Sequence, residues 1–284
     1  MTYPYYSDLP RYTVEALDIH TAYYEAGAPH NPPVILLHGM TSSGDTWREL
    51  MSELADDYWL IAPDIPGFGY SDNTKPYTFT HLIEWLAALR ENLHIPHSAM
   101  IGHSFGGVMA ARFAAAYPEH VSRLVLMAPA LLTHERVPDF VIKAGALLGL
   151  IDLGTAVSQS KAVVEKQVRL TFRDPQKQHP SLWERRLRDY ENARASADVL
   201  KAVTLQNTRS PIIALQQPTC LIWGENDSVV TSKDAPVLQE LLPNVELHLL
   251  PECDHTPMLE YQEEVLAITR RFLQPNYLPL SRNE

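Results

Sequence analysis

Two hydrophobic patterns alternate along the chain. Short continuous apolar runs rich in β-branched residues read as strands, and longer stretches with apolar positions three or four apart read as helices. "PVILLHG" (33–39) is of the first kind, and "TWRELMSELAD" (46–56) is of the second, with Trp47, Leu50, Met51 and Leu54 on one face. The alternation continues through "YWLIAPDIPG" (58–67), "FTHLIEWLAALRENL" (79–93), "SAMIGHS" (98–104), "FGGVMAARFAAAYP" (105–118) and "VSRLVLMAP" (121–129). It resumes with "PTCLIWGEND" (218–227), "SKDAPVLQELLP" (232–243), "VELHLLPE" (245–252) and "PMLEYQEEVLAITRRFL" (257–273), the last read as one helix.

Strands this uniformly apolar are covered on both faces, which predicts a mostly parallel sheet with helices on either side. "YTVEALDIHTAYYEAG" (12–27) alternates instead, as an antiparallel pair at the sheet edge does. Between about Ala130 and Ser210 no strand pattern occurs. The spacing there is helical, in "DFVIKAGALLGLIDL" and "LWERRLRDYENARASADVLKAV", so a helical insertion lying over the sheet is expected. The core is then residues 1–130 and 211–284, and the cap is 131–210.

Composition narrows the class. At 284 residues, 45% hydrophobic and 20% charged, the chain suits one large folded domain with an insertion. A formal net charge of −11 disfavours nucleic acid as a partner. The charge is uneven: residues 133–211 hold 13 basic and 9 acidic side chains, and the rest hold 10 and 25. No segment reaches the run of about 18 apolar residues that spans a bilayer, and no signal peptide opens the chain, so a cytoplasmic protein without membrane insertion is expected. Cys220 and Cys253 suggest neither a disulfide framework nor a metal site.

In an open parallel sheet, reactive groups gather at the carboxyl ends of the strands. Gly102-His103-Ser104-Phe105-Gly106 stands at such an end and matches G-x-S-x-G. A sharp strand-to-helix turn crowds the positions two before and two after the serine, so both must lack a Cβ. The turn itself lifts the Ser104 hydroxyl clear of the sheet. A serine nucleophile needs a base and an orienting acid. Asp227 and, 28 residues later, His255 each follow a strand end, in the order Ser, acid, His. Thr256 and Pro257 read as the N-cap and first turn of the final helix. The backbone N–H groups of Met40, after His38-Gly39, and of Phe105 are the expected oxyanion donors.

These motifs carry a resemblance to the α/β-hydrolase superfamily: His38-Gly39, "DIPGFGYSD" (64–72), "GHSFGG" (102–107), "WGENDSVV" (223–230) and "DHTPM" (254–258). The resemblance implies an eight-stranded sheet with the cap between its sixth and seventh strands. It also implies a serine esterase-like activity without cofactor or metal. Haloalkane dehalogenases and epoxide hydrolases share the layout but use aspartate as nucleophile, and Ser104 argues against both. A carbon–carbon hydrolase of the meta-cleavage type also resembles this layout, although "HGMTSSGD" lacks the Gly-Pro-Gly usual there. Acyl transfer, perhydrolysis and a ligand receptor that keeps the fold stay open, as does assembly into a homo-oligomer.

Other candidates read as structural. His38 and His103 are expected to bond loop backbone, and Asp64 and Ser71 to fix their loop. Asp254 is expected at the surface and Cys253 as a buried apolar residue. Glu225 and Asp198 are weaker candidates for the acid. Arg169, Arg173, Arg185, Arg186 and Arg188 read as a solvated helix face, or with one of them holding a substrate carboxylate. The expectation is a serine hydrolase acting on small-molecule carboxylic esters.

Overall fold

The computed structural model describes residues 10–132, 161–205 and 214–277. The opening strands are β1 (Arg11–Ala16), β2 (Ile19–Ala26) and β3 (Pro33–Leu37). After a 3-10 turn come α1 (Arg48–Leu54), β4 (Trp59–Pro63), α2 (Phe79–Asn92), β5 (Ser98–His103), α3 (Phe105–Ala116) and β6 (Val121–Met127). The cap contributes α4 (Lys161–Leu170), α5 (Pro180–Glu191) and α6 (Ser196–Leu205). The chain returns with β7 (Thr219–Gly224), α7 (Asp234–Leu241), β8 (Val245–Leu250), α8 (Pro257–Glu260) and α9 (Gln262–Leu273).

Among the described residues one eight-stranded sheet forms, in the order β1-β2-β4-β3-β5-β6-β7-β8. The β1–β2 and β2–β4 pairs are antiparallel, and every later pair is parallel. This is the expected α/β architecture with helices on both faces.

Successive residues of the central strands explain their unbroken apolar character. Ile35 and Leu37 enter the core that Trp85, Leu86, Val108 and Phe113 build from α2 and α3. Val34 and Leu36 enter the opposite core, with Trp47 from the 3-10 turn, Met51 and Leu54 from α1 and Phe272 from α9. Both sets are fully buried. Each such side chain gains roughly 2 kcal/mol on leaving water, so a polar residue on either face would be costly. In α2 the Thr78 hydroxyl accepts from the His81 N–H at 3.2 Å, supplying a cap where the apolar spacing begins.

The single helix expected over 257–273 is two. Tyr261 leaves helical dihedrals (φ −125°, ψ 51°), and its hydroxyl donates to the Pro251 carbonyl at 2.5 Å. Glu260 at the break accepts from the backbone N–H groups of Asp254 and Arg173. Thr256 precedes α8 with Pro257 in its first turn, but its hydroxyl donates to the Thr171 carbonyl and does not cap the helix. The expected helical stretch "DFVIKAGALLGLIDL" lies outside the described residues. No helix among the described residues is long and apolar enough to cross a membrane.

Candidate active site

Ser104 separates β5 from α3 and adopts φ 52°, ψ −113°, a left-handed conformation that costs about 1–3 kcal/mol. Its own N–H donates to the Met127 carbonyl at 2.9 Å, which ties the turn to β6. The flanking glycines are sterically required. A Cβ on Gly102 would lie 2.5 Å from the Gly106 carbonyl oxygen, and one on Gly106 would lie 2.1 Å from that of Leu37. The elbow read from the sequence is therefore present, and Ser104 lines a cavity of about 1060 Å³ under the cap.

His255 and Asp227 meet as the spacing suggests. The His255 Nδ1–H donates to Asp227 Oδ2 at 2.9 Å, and both side chains are almost fully buried. Asp227 Oδ1 accepts from the backbone N–H groups of Val229 (2.9 Å) and Val230 (2.8 Å). A parallel link braces the two loops, because the Ser228 N–H and hydroxyl both donate to Asp254 Oδ1, at 2.8 and 2.9 Å. Asp254 is thus buried, not at the surface: its neighbours on the acid loop hold its carboxylate inside. His255 and Asp254 line the same cavity as Ser104.

The expected oxyanion donors flank this point. Phe105 opens α3, where helix N–H groups lack intrahelical partners. Met40 lines the cavity, and the preceding backbone runs against the nucleophile: a Cβ on Gly39 would lie 3.3 Å from Ser104 Cβ.

The two neighbouring histidines bond backbone. The His38 Nδ1–H donates to the Gly39 carbonyl at 2.7 Å while Nε2 accepts from the Ile65 N–H at 2.9 Å, which defines a neutral ring. Burial lowers its pKa to about 4. The His103 Nε2–H donates to the His255 carbonyl at 2.8 Å, and burial, with His255 beside it, holds this ring well below the ordinary histidine range. Asp64 accepts from the Gly44 and Tyr70 N–H groups, and Ser71 bonds the Asp64 carbonyl and the Ala22 N–H, so both fix their loop. Burial nevertheless raises Asp64 to about 7. Cys253 is a buried free thiol. Glu225 is exposed and Asp198 pairs with Lys75, so neither meets His255.

The cap arginines depart from expectation. Arg169 and Arg173 stand at the cavity wall in ion pairs with Glu165 and Glu252, and Arg188 is exposed. Arg185 and Arg186 are buried, because α5 turns them onto the loop after β3. Arg186 Nη1 donates to the Ser42 hydroxyl (2.7 Å) and to Asp189 Oδ2 (3.0 Å), while the Ser43 hydroxyl donates to Asp189 Oδ1 at 2.6 Å. Arg185 Nη2 donates to Glu49 Oε1 at 2.6 Å. Burial raises Asp189 to about 6, although Arg186 and Ser43 pull it down. Sequence reasoning missed this clasp. Its one trace was the Arg186/Asp189 spacing of three on a helix.

Cys220, Glu246 and His248 form a group compact enough to share a metal ion. They lie on paired strands, towards the ends opposite Ser104, and Glu246 already accepts from Arg271 and Tyr277.

The family model described as alpha/beta hydrolase fold matches residues 32–261. The chain belongs to that family. It is 26% identical over 268 residues to a pimeloyl-[acyl-carrier protein] methyl ester esterase of Nitrosospira multiformis, covering 88% of this hydrolase and 97% of that protein. Lipase 1 of Psychrobacter immobilis is 26% identical over 262 residues, covering 85% of this hydrolase and 77% of the lipase. A crystal structure of a serine hydrolase involved in carbazole degradation superposes with TM-score 0.77 at 25% identity, covering 94% and 99% of the two chains. The hydrolase is thus similar over most of its length to a methyl ester esterase, a lipase and a serine hydrolase.

Proposed function

We propose that this chain is a carboxylic ester hydrolase in which Ser104, His255 and Asp227 form a catalytic triad. The observation that carries the reading is a buried Asp227–His255 pair whose histidine lines one cavity with a serine held at positive φ. His255 takes the proton of Ser104 as its oxygen attacks the acyl carbon, then returns that proton to the departing alcohol. Asp227 holds the Nδ1–H tautomer and stabilises the imidazolium. The N–H groups of Met40 and Phe105 receive the oxyanion, each worth about 3 to 4 kcal/mol in the transition state. Water activated by His255 then releases the acid, leaving Ser104 free. The core is residues 1–130 and 211–284, and the cap, 131–210, selects the substrate.

One observation favours a second reading. Arg186 lines the cavity with Nη1 anchored and its buried Nε unpartnered among the described residues. A guanidinium so placed suits a substrate carboxylate, as in carbon–carbon hydrolysis of a dienoate. Turnover of p-nitrophenyl esters of increasing acyl length, beside one dienoate, separates the readings. Ester turnover and fluorophosphonate labelling, both lost in Ser104→Ala, are expected. Turnover of the dienoate alone overturns the ester reading, and labelling that survives in Ser104→Ala overturns the assignment of the nucleophile.

A further inference from the structure

Asp227 is held from the core as well as from its own loop. Trp223 lies on β7, fully buried among Leu221, Val230 and Leu238. Its indole N–H is directed to Asp227 Oδ2 at 3.0 Å and to the Val230 carbonyl at 2.9 Å. Oδ2 is also the oxygen that accepts from His255 Nδ1 at 2.9 Å. One carboxylate oxygen therefore serves two donors, while the other is fixed by the Val229 and Val230 N–H groups.

We propose that Trp223 is a positioning residue of the Asp227–His255 pair: its indole N–H stops the carboxylate turning about Cβ–Cγ and takes part of the charge that Oδ2 presents to the imidazole. The inference rests on the triad reading above. Two donors on one oxygen share its electron density, so each weakens the bond made by the other. Removing the indole N–H strengthens the remaining His255 bond but loosens its direction. The base then holds its proton to higher pH, and its angle toward Ser104 is less well defined.

The test is Trp223→Phe, which keeps a ring and removes the donor. The expected result has three parts. With the ester turned over best, kcat falls about tenfold with KM unchanged, the effect of losing one hydrogen bond to a charged group. The acidic limb of the kcat/KM profile moves to higher pH. The low-field proton on His255 Nδ1, assigned by its loss in His255→Gln, moves further downfield in the NMR spectrum. Lower thermal stability with an unmoved limb and an unmoved proton overturns the proposal, since a purely packing role gives that result. Should Trp223→Phe fail to fold, β-(3-benzothienyl)alanine placed at 223 keeps the shape of the indole with sulfur for N–H and gives the same readings. A downfield shift in a protein without Ser104-dependent turnover supports the positioning role and overturns the triad reading.

Discussion

The two sides of the candidate site are held by different physics. Around Ser104 the chain is fixed by backbone crowding and neutral rings: Gly102 and Gly106 have no room for a Cβ, and His38 and His103 bond carbonyls and an N–H as uncharged imidazoles. Behind the loop that follows β3, buried charges do the holding. Asp189 and Arg186 reach down from α5 to Ser43 and Ser42, Arg185 reaches Glu49, and Asp64 takes the Gly44 N–H. The first arrangement belongs to the core alone. Apart from the Asp64 bond, the second exists only when the cap helix is docked, so the loop bearing the expected Met40 donor is set by cap and core together.

The largest effect is expected where there is least freedom to adjust. Gly106→Ala sets a methyl against the carbonyl oxygens of Leu37 and His38, at 2.1 and 2.5 Å, and neither can move without shifting β3 from α3. A loss of about 3 kcal/mol in urea unfolding is expected, at the upper end for overpacking. A variant of wild-type stability would show that the elbow yields, and the contrast between the two sides would collapse.

That rigidity also explains what could be read from the sequence. Gly102, Ser104 and Gly106 sit within one pentapeptide, and a backbone clash is a local property that spacing reveals. Ile35 and Val34 face opposite cores, so the parallel sheet shows as unbroken apolar runs. Asp227 and His255 each follow a strand end, and strand ends are visible. Nothing local marks Arg186 as buried, because its partner Ser42 lies 144 residues away. A charged helix face reads as solvated until another element is packed on it. Trp223 was hidden by its own fitness for a strand, since a buried tryptophan and a hydrogen-bond donor look the same in sequence. Asp254 was misplaced for a similar reason: the group that buries it, Ser228, lies across the sheet end.

A smaller effect is expected on the charged side. Asp189→Asn keeps the shape but leaves Arg186 without its counter-charge. Both side chains are buried, but Arg186 keeps its bond to the Ser42 hydroxyl, which limits the cost to about 2 kcal/mol, below the range for a buried charge left wholly unpaired. Ester turnover in this variant should fall mainly in kcat, since the clasp on Ser43 that helps set the loop of the expected Met40 donor is weakened. Equal losses in Asp189→Asn and Gly106→Ala would mean that the cap clasp is as unyielding as the elbow.

The finest distinction between the two sides is their opposite response to pH. Burial raises Asp189 to about 6 in the fold from its ordinary 3.8, so between those values the native state binds more protons than the unfolded chain. Its contribution is full below pH 4 and is lost as pH rises towards 6; Asp64, at about 7, behaves alike over a wider window. His38 has the reverse sign. With its pKa lowered from 6.5 to about 4, the unfolded chain binds more protons, so its contribution is full above 6.5 and is lost as pH falls through 4. Each group tilts stability by roughly 1 kcal/mol per pH unit inside its window, and between pH 4 and 6 Asp189 and His38 oppose one another. Urea midpoints measured across that range should therefore rise more steeply with pH in Asp189→Asn than in the wild type. In His38→Gln they should rise less, or fall. Parallel curves for all three proteins would mean that neither side chain titrates between its folded and unfolded values, and the charged and neutral sides would then differ only in where they make their bonds.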